Sequence, residues 1–96
     1  MAVYIIAYDL VRASENDYKN VHEKIESISD DWAHIQLSTF LVRSELTALQ
    51  FRDRLRPVFK EDEKLIVAEL GGSVAGLHRF SKQVSGWLER NGFPTV

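Results

Sequence analysis

The chain contains no cysteine. That excludes a disulfide framework, a thiolate metal site and a cysteine nucleophile, and it leaves the redox compartment unmarked. No apolar run approaches the roughly 20 residues needed to cross a bilayer, so no membrane partner is expected. Neither sign of charge dominates: 14 acidic residues against 12 basic ones leave a net charge of −2. Such a chain is no bulk attractor for nucleic acid, and any such binding must come from a local patch. No basic segment precedes the first apolar run, as a secretory signal would require, because Met1 leads straight into it. A cytoplasmic location is the expectation. What is present, 45% hydrophobic and 27% charged residues over 96 positions, suits one globular domain (residues 1–96) with a small core.

The chain is organised around Ala2–Leu10, AVYIIAYDL. Val3 to Tyr8 are all apolar or aromatic, and Asp9 follows. A short continuous run rich in Val, Ile and Tyr reads as a strand buried on both faces. Asp9 stands where that strand leaves the sheet, and ligands in open sheets often gather near strand ends.

Ser14 with Asp17 matches a capping box, and Asn16 is an equally good cap. Tyr18, Val21, Ile25 and Ile28 recur at helical spacing and predict a helix over 17–28. In Trp32–Leu37, Ile35 and Leu37 alternate with His34 and Gln36, which predicts a half-exposed strand. Phe40–Arg43 is a second strand. The short Ser38-Thr39 link predicts a hairpin in preference to one bent strand. Thr47 caps the next helix with Gln50 at N3, and Leu46 and Phe51 sit where a hydrophobic staple would. Pro57 should distort the last turn of that helix. Leu65–Leu70 reads as a strand that Gly71-Gly72 breaks. Leu77, Phe80, Val84, Trp87 and Leu88 predict a C-terminal helix over about 77–90, stopped at Asn91-Gly92 with Pro94 beyond.

The order β-α-β-β-α-β plus a helix is the split β-α-β pattern of an α+β, ferredoxin-like sandwich (core 2–70) with an additional C-terminal helix. The first and third strands should be central. Both faces of the first and last strands are apolar, so the face away from the two helices needs a cover. A homodimer packed through its sheets is the preferred cover, and the C-terminal helix folded over it is the alternative.

Asp9 has two readings. It is a strand-end aspartate accepting hydrogen bonds from the Leu10–Ala13 turn, or it is a metal ligand. One carboxylate does not hold Mg²⁺ alone, because the ion takes six oxygens. A two-fold axis near Asp9 would bring a second copy, and substrate phosphates would complete the shell. The separations of His22, His34 and His78 match no metal motif and predict structural or surface roles. No Gly-x-Ser-x-Gly elbow frames a serine. Gly71–Gly76 lacks the lysine of a phosphate loop and reads as a plain turn. Trp32 and Trp87 read as core or interface anchors. Arg12, Arg43, Arg52, Arg54 and Arg56 would form a basic strip for substrate if the fold gathered them, but Glu15, Glu45 and Asp53 are interspersed.

Tyr8-Asp9-Leu10 closing the first strand, with Gln36, Ser38 and Phe40 spaced as Gln-x-Ser-x-Phe, resembles the CRISPR-associated Cas-two family. It is also similar to stand-alone Cas-two-like and virulence-associated-protein-D-like relatives. The resemblance runs over about 2–70. It implies a homodimer with a metal-dependent nuclease site between subunits. Asp9 would be the catalytic Mg²⁺ (or Mn²⁺) ligand, and Ser38 and Phe40 would shape the substrate groove. Three departures stand beside it. Leu41 occupies the place where the family often has glutamate. The first helix carries Lys19, Glu23, Lys24 and Glu26 in place of an arginine-rich stretch. The chain is acidic overall, at a net charge of −2. The last segment, a helix in place of the partner-docking strand of many members, further departs from a role in spacer integration. The resulting functional expectations are a metal-dependent nuclease of RNA or DNA, or a non-catalytic dimeric scaffold for a protein partner or nucleic acid. A small-molecule-binding regulator has no residue signature.

Overall fold

The computed structural model describes residues 1–71 and 81–93. Four strands form one antiparallel sheet: β1 (Ala2–Asp9), β2 (Asp31–Gln36), β3 (Thr39–Ser44) and β4 (Lys64–Glu69). Their order across the sheet is β2-β3-β1-β4. β1 and β3 are central, with Ile6 opposite both Phe40 and Val67. The fold is the expected ferredoxin-like α+β arrangement.

Helix α1 (Glu15–Ser27) begins two residues earlier than the periodicity suggested, because Ser14 and not Asn16 is the cap. The Asp17 N–H bonds the Ser14 hydroxyl at 3.2 Å, and the Ser14 N–H bonds Asp17 Oδ2 at 2.9 Å. Helix α2 (Ala48–Leu55) carries the second reciprocal box, between Thr47 and Gln50. Pro57 falls in a 3₁₀ turn, Arg56–Val58, that ends it. Both helices lie on one face of the sheet. Tyr4, Ile6, Tyr8, Phe40 and Val42 meet Val21, Ile25, Phe51 and Leu55 there, all buried. The Tyr4 hydroxyl crosses this layer to donate to the Leu46 carbonyl at 2.8 Å.

On the other face α3 (Lys82–Arg90) covers the part built from β1, β2 and β3, while Ile66 of β4 stays 61% exposed there. Val84, Trp87 and Leu88 pack on Val3, Ala33 and Leu41. Of the two covers considered for this face, the chain's own C-terminal helix supplies one. The helix begins at Lys82 and not at Leu77 as the spacing suggested, because Ser81 is extended and its hydroxyl accepts the Val84 N–H at 3.2 Å. Leu77 itself, residues 72–76 of the predicted turn and His78 lie outside the described residues. The helix ends as Asn91-Gly92 suggested. Gly92 adopts φ +88°, the Phe93 N–H bonds the Leu88 carbonyl at 2.7 Å, and the Gly92 N–H bonds the Glu89 carbonyl at 3.1 Å. That pair of bonds is a Schellman motif.

The hairpin differs from its sequence reading in one respect. β2 ends at Gln36, and Leu37 sits in the turn, 60% exposed. The register slips between His34 and Gln36. Ala33 and Ile35 face α3. Trp32 and His34 share the α1 side, but on an edge strand they stay partly open to solvent, Trp32 at 37%.

Candidate functional site

Three connections meet at the end of the sheet where β1 finishes. They are the turn from Leu10 to Ser14, the Leu37-Ser38 turn, and the segment before β4. Asp9 is the last residue of β1, opposite Lys64 of β4, and is exposed. By strand alternation its side chain belongs to the Val3, Ile5 and Ala7 face, the one that carries α3.

The carboxylate that serves the turn after β1 is not Asp9. Glu63 Oε2 accepts the Val11 N–H at 3.0 Å, and Glu63 Oε1 accepts the Lys60 N–H at 2.8 Å. One side chain thus ties two connections together. None of the ion pairs among the described residues includes Asp9.

Arg12 takes φ +49°, the left-handed region, and its guanidinium lies 3.9 Å from Asp62, both well exposed. An ion pair this open adds little to stability. Ser38 is half-buried, and its carbonyl accepts the Tyr8 N–H at 3.1 Å, which sets it beside the end of β1. Phe40 is fully buried among the residues under α1 and α2. Arg43 pairs with Val3. Asp9 lies six steps along the strand from Val3, about 20 Å at the usual rise. The fold therefore collects Asp9, Arg12 and Ser38 at one end, puts Arg43 at the other, and keeps Phe40 in the core. Nor does it gather the other arginines into a bare strip: Arg52 and Arg56 both lean on Asp53, at 2.7 and 3.8 Å. Arg12 and Lys60 are likewise paired, with Asp62 at 3.9 Å and with Asp17 at 3.8 Å.

Among the described residues, no three His, Asp or Glu side chains come together to hold a metal. Asp9 does not make a closed site. Its single exposed carboxylate does fit the usual mode for Mg²⁺, which keeps several waters and takes one or two carboxylates plus substrate phosphates.

A second constellation lies across the sheet from Asp9. Three side chains converge on the Leu37 carbonyl. The Tyr8 hydroxyl donates to it at 3.1 Å, His22 Nε2 lies at 3.1 Å and His34 Nε2 at 3.3 Å. A carbonyl only accepts, so Nε2 carries the proton in both imidazole contacts. The two imidazole centroids are 4.4 Å apart. His34 stacks on Phe40 at 4.3 Å with planes 5° apart, and His22 meets Phe40 edge-on at 5.2 Å. Burial pushes the Tyr8 phenol well above its ordinary range and keeps it protonated. Partial burial lowers the His22 imidazole, with the bond to Leu37 working the other way. Read one by one along the chain, these residues gave no motif. The signal in the sequence was limited to the alternation that sets His34 beside Trp32 and to the position of His22 next to Val21.

Neither a protein-family model nor a curated protein matches the chain. Among solved structures, the crystal structure of a hypothetical protein, TT1823, from Thermus thermophilus is similar to it. The TM-score is 0.65 at 21% identity, over 81% of this chain and 92% of that one. At that identity the likeness shows the fold alone, which is the ferredoxin-like α+β fold described above.

Proposed function

We propose that this chain is a Cas-two-like protein that forms a cytoplasmic homodimer and cleaves RNA or DNA phosphodiesters with Mg²⁺ or Mn²⁺ held at Asp9. One observation carries the reading: Asp9 stands exposed at the end of a central strand while Glu63, not Asp9, bonds the turn that follows. The bland structural role for Asp9 is thus already filled, which leaves its carboxylate available to a ligand. A bound divalent ion supplies charge stabilisation for the phosphate oxygens and an activated water. Asp9 anchors that ion. Ser38 and Arg12, at the same end of the sheet, hold the phosphate backbone beside it. Arg43 meets a more distant part of an extended strand. Phe40 supports the neighbouring turn from below through His34 and does not touch substrate.

The second reading is a non-catalytic dimeric scaffold for nucleic acid or a protein partner. The pairing of Arg12 with Asp62 favours it, because a phosphate would have to compete with that carboxylate for the guanidinium. So does Leu41, only 3% exposed beneath α3 at the place where the family often carries glutamate.

The test is cleavage of single- and double-stranded RNA and DNA with Mg²⁺, Mn²⁺ or chelator, by wild type and by Asp9→Ala. Metal-dependent cleavage by wild type, lost in a folded Asp9→Ala, is the expected result. No cleavage by wild type, or equal cleavage by both, moves the assignment to the scaffold. Thermal unfolding adds a second readout, since an ion that binds only the folded state raises the Tm.

A further inference from the structure

We propose that His22 and His34, together with the Leu37 carbonyl, form a site for a divalent transition ion of the Zn²⁺, Ni²⁺ or Cu²⁺ kind. This site lies on the opposite face of the sheet from Asp9 and does not rest on the nuclease reading.

The starting point is an excess of donors. A carbonyl oxygen has two lone pairs. The Tyr8 hydroxyl takes one of them, and two imidazole N–H groups compete for the other. A cation resolves the competition. Each ring moves its proton from Nε2 to Nδ1 and offers the Nε2 lone pair, so neither ring changes charge. The two nitrogens and the second lone pair of the Leu37 oxygen become three ligands. Tyr8 stays a neutral donor and fixes the direction of the carbonyl, as outer-shell partners commonly do.

The distances suit this arrangement. Bonds of about 2.0–2.2 Å to nitrogen and oxygen put neighbouring ligand atoms roughly 3 Å apart, and the observed Nε2 to oxygen separations are 3.1 and 3.3 Å. The rings are also held in place. Phe40, fully buried, stacks on His34 and takes the edge of His22. His34 is exposed, so water can fill the remaining coordination positions. A groove of about 530 Å³ lined by Ser14, Tyr18, Lys19, His22 and Leu37 opens the approach. Imidazole ligands select Zn²⁺, Cu²⁺ or Ni²⁺ over Mg²⁺, so this site and the one at Asp9 differ in the ion they take. The set has only two ligating side chains, which explains why it matches no three-residue grouping.

The experiment is titration of the full chain with ZnCl₂, followed by calorimetry and thermal unfolding, with MgCl₂ as the contrasting ion. Wild type, His22→Gln, His34→Gln and Asp9→Asn are compared. Wild type should bind one Zn²⁺ per chain and gain Tm with Zn²⁺. Both histidine variants should lose that gain, and Asp9→Asn should keep it. Histidine ¹⁵N spectra of wild type read the same event without any substitution: one equivalent of Zn²⁺ should move Nε2 of both His22 and His34. Unmoved ring nitrogens, or a Zn²⁺-induced Tm gain that survives in both histidine variants, overturns the proposal.

Discussion

Glu63 accepts the backbone N–H of Val11 across 52 positions of chain, at 3.0 Å, and so does for the turn after β1 what the adjacent Asp9 does not. The same carboxylate also accepts the Lys60 N–H. Hydrogen bonds to a charged group contribute about 1.5–3 kcal/mol each at most, and the half-buried position of Glu63 favours a real contribution. Glu63→Ala should therefore destabilise the chain by about 1–3 kcal/mol in urea unfolding. Asp9→Asn should change stability by less than about 0.5 kcal/mol, as expected for a surface position whose side chain bonds none of the described residues. Equal losses for the two would return Asp9 to a structural role.

Helix α3 holds the second sheet face through Trp87, which is 1% exposed. Trp87→Ala should cost about 3–5 kcal/mol, the usual range for removing a large buried aromatic side chain. Leu41→Glu should also destabilise, because it buries a carboxylate beneath the same helix, with Arg43 two residues along β3 as the nearest cation on that face. Chemical denaturation of both variants checks this. A Leu41→Glu protein as stable as wild type would mean that α3 does not seal that face.

Gly92 adopts φ +88°, and an added Cβ there would meet nothing within 4 Å. Any effect of Gly92→Ala thus comes from backbone conformation and not from a clash. The expected loss is about 1–2 kcal/mol, read from the unfolding midpoint. An unchanged midpoint would mean that the Schellman turn contributes nothing to holding α3.

Two carboxylates titrate below their ordinary range in the folded chain. The Ser14 backbone and hydroxyl hold Asp17 down, with Lys60 assisting. Burial acts to raise Asp31, but hydrogen bonds from Arg90 and Asn91 outweigh it. The unfolded chain therefore takes up protons first as pH falls. The stability these groups add is complete above the ordinary carboxylate pKa of 3.8 and is lost as pH drops through their folded values. Urea midpoints measured from about pH 5 down to about pH 2 should fall, and the fall should be shallower in Asp17→Asn and Asp31→Asn. An identical pH profile in wild type and both variants would contradict the assignment.

The local devices of this chain were legible because each closes within a few residues. Ser14 with Asp17, and Thr47 with Gln50, satisfy helix N–H groups that the chain itself leaves open. Gly92 ends α3 for the same reason of local geometry. The strand order was legible too, since the element pattern and the doubly apolar β1 leave few ways to build a sheet. The edge hairpin was less so. Its register slip moves Leu37 out of β2 and into the turn, which alternation alone does not reveal.

The sequence by itself determined the elements, the Thr47 cap of α2 and the need to cover both sheet faces, because these follow from periodicity and from backbone groups that must find partners nearby. Only the tertiary structure decided which carboxylate serves the β1 turn, what α3 covers, and that Tyr8, His22 and His34 meet at one carbonyl. Those relationships join residues far apart in the chain, Glu63 and Val11 across 52 positions and α3 with β1 across more. Their geometry depends on strand register and on how α1 crosses the sheet, and no spacing along the chain encodes either.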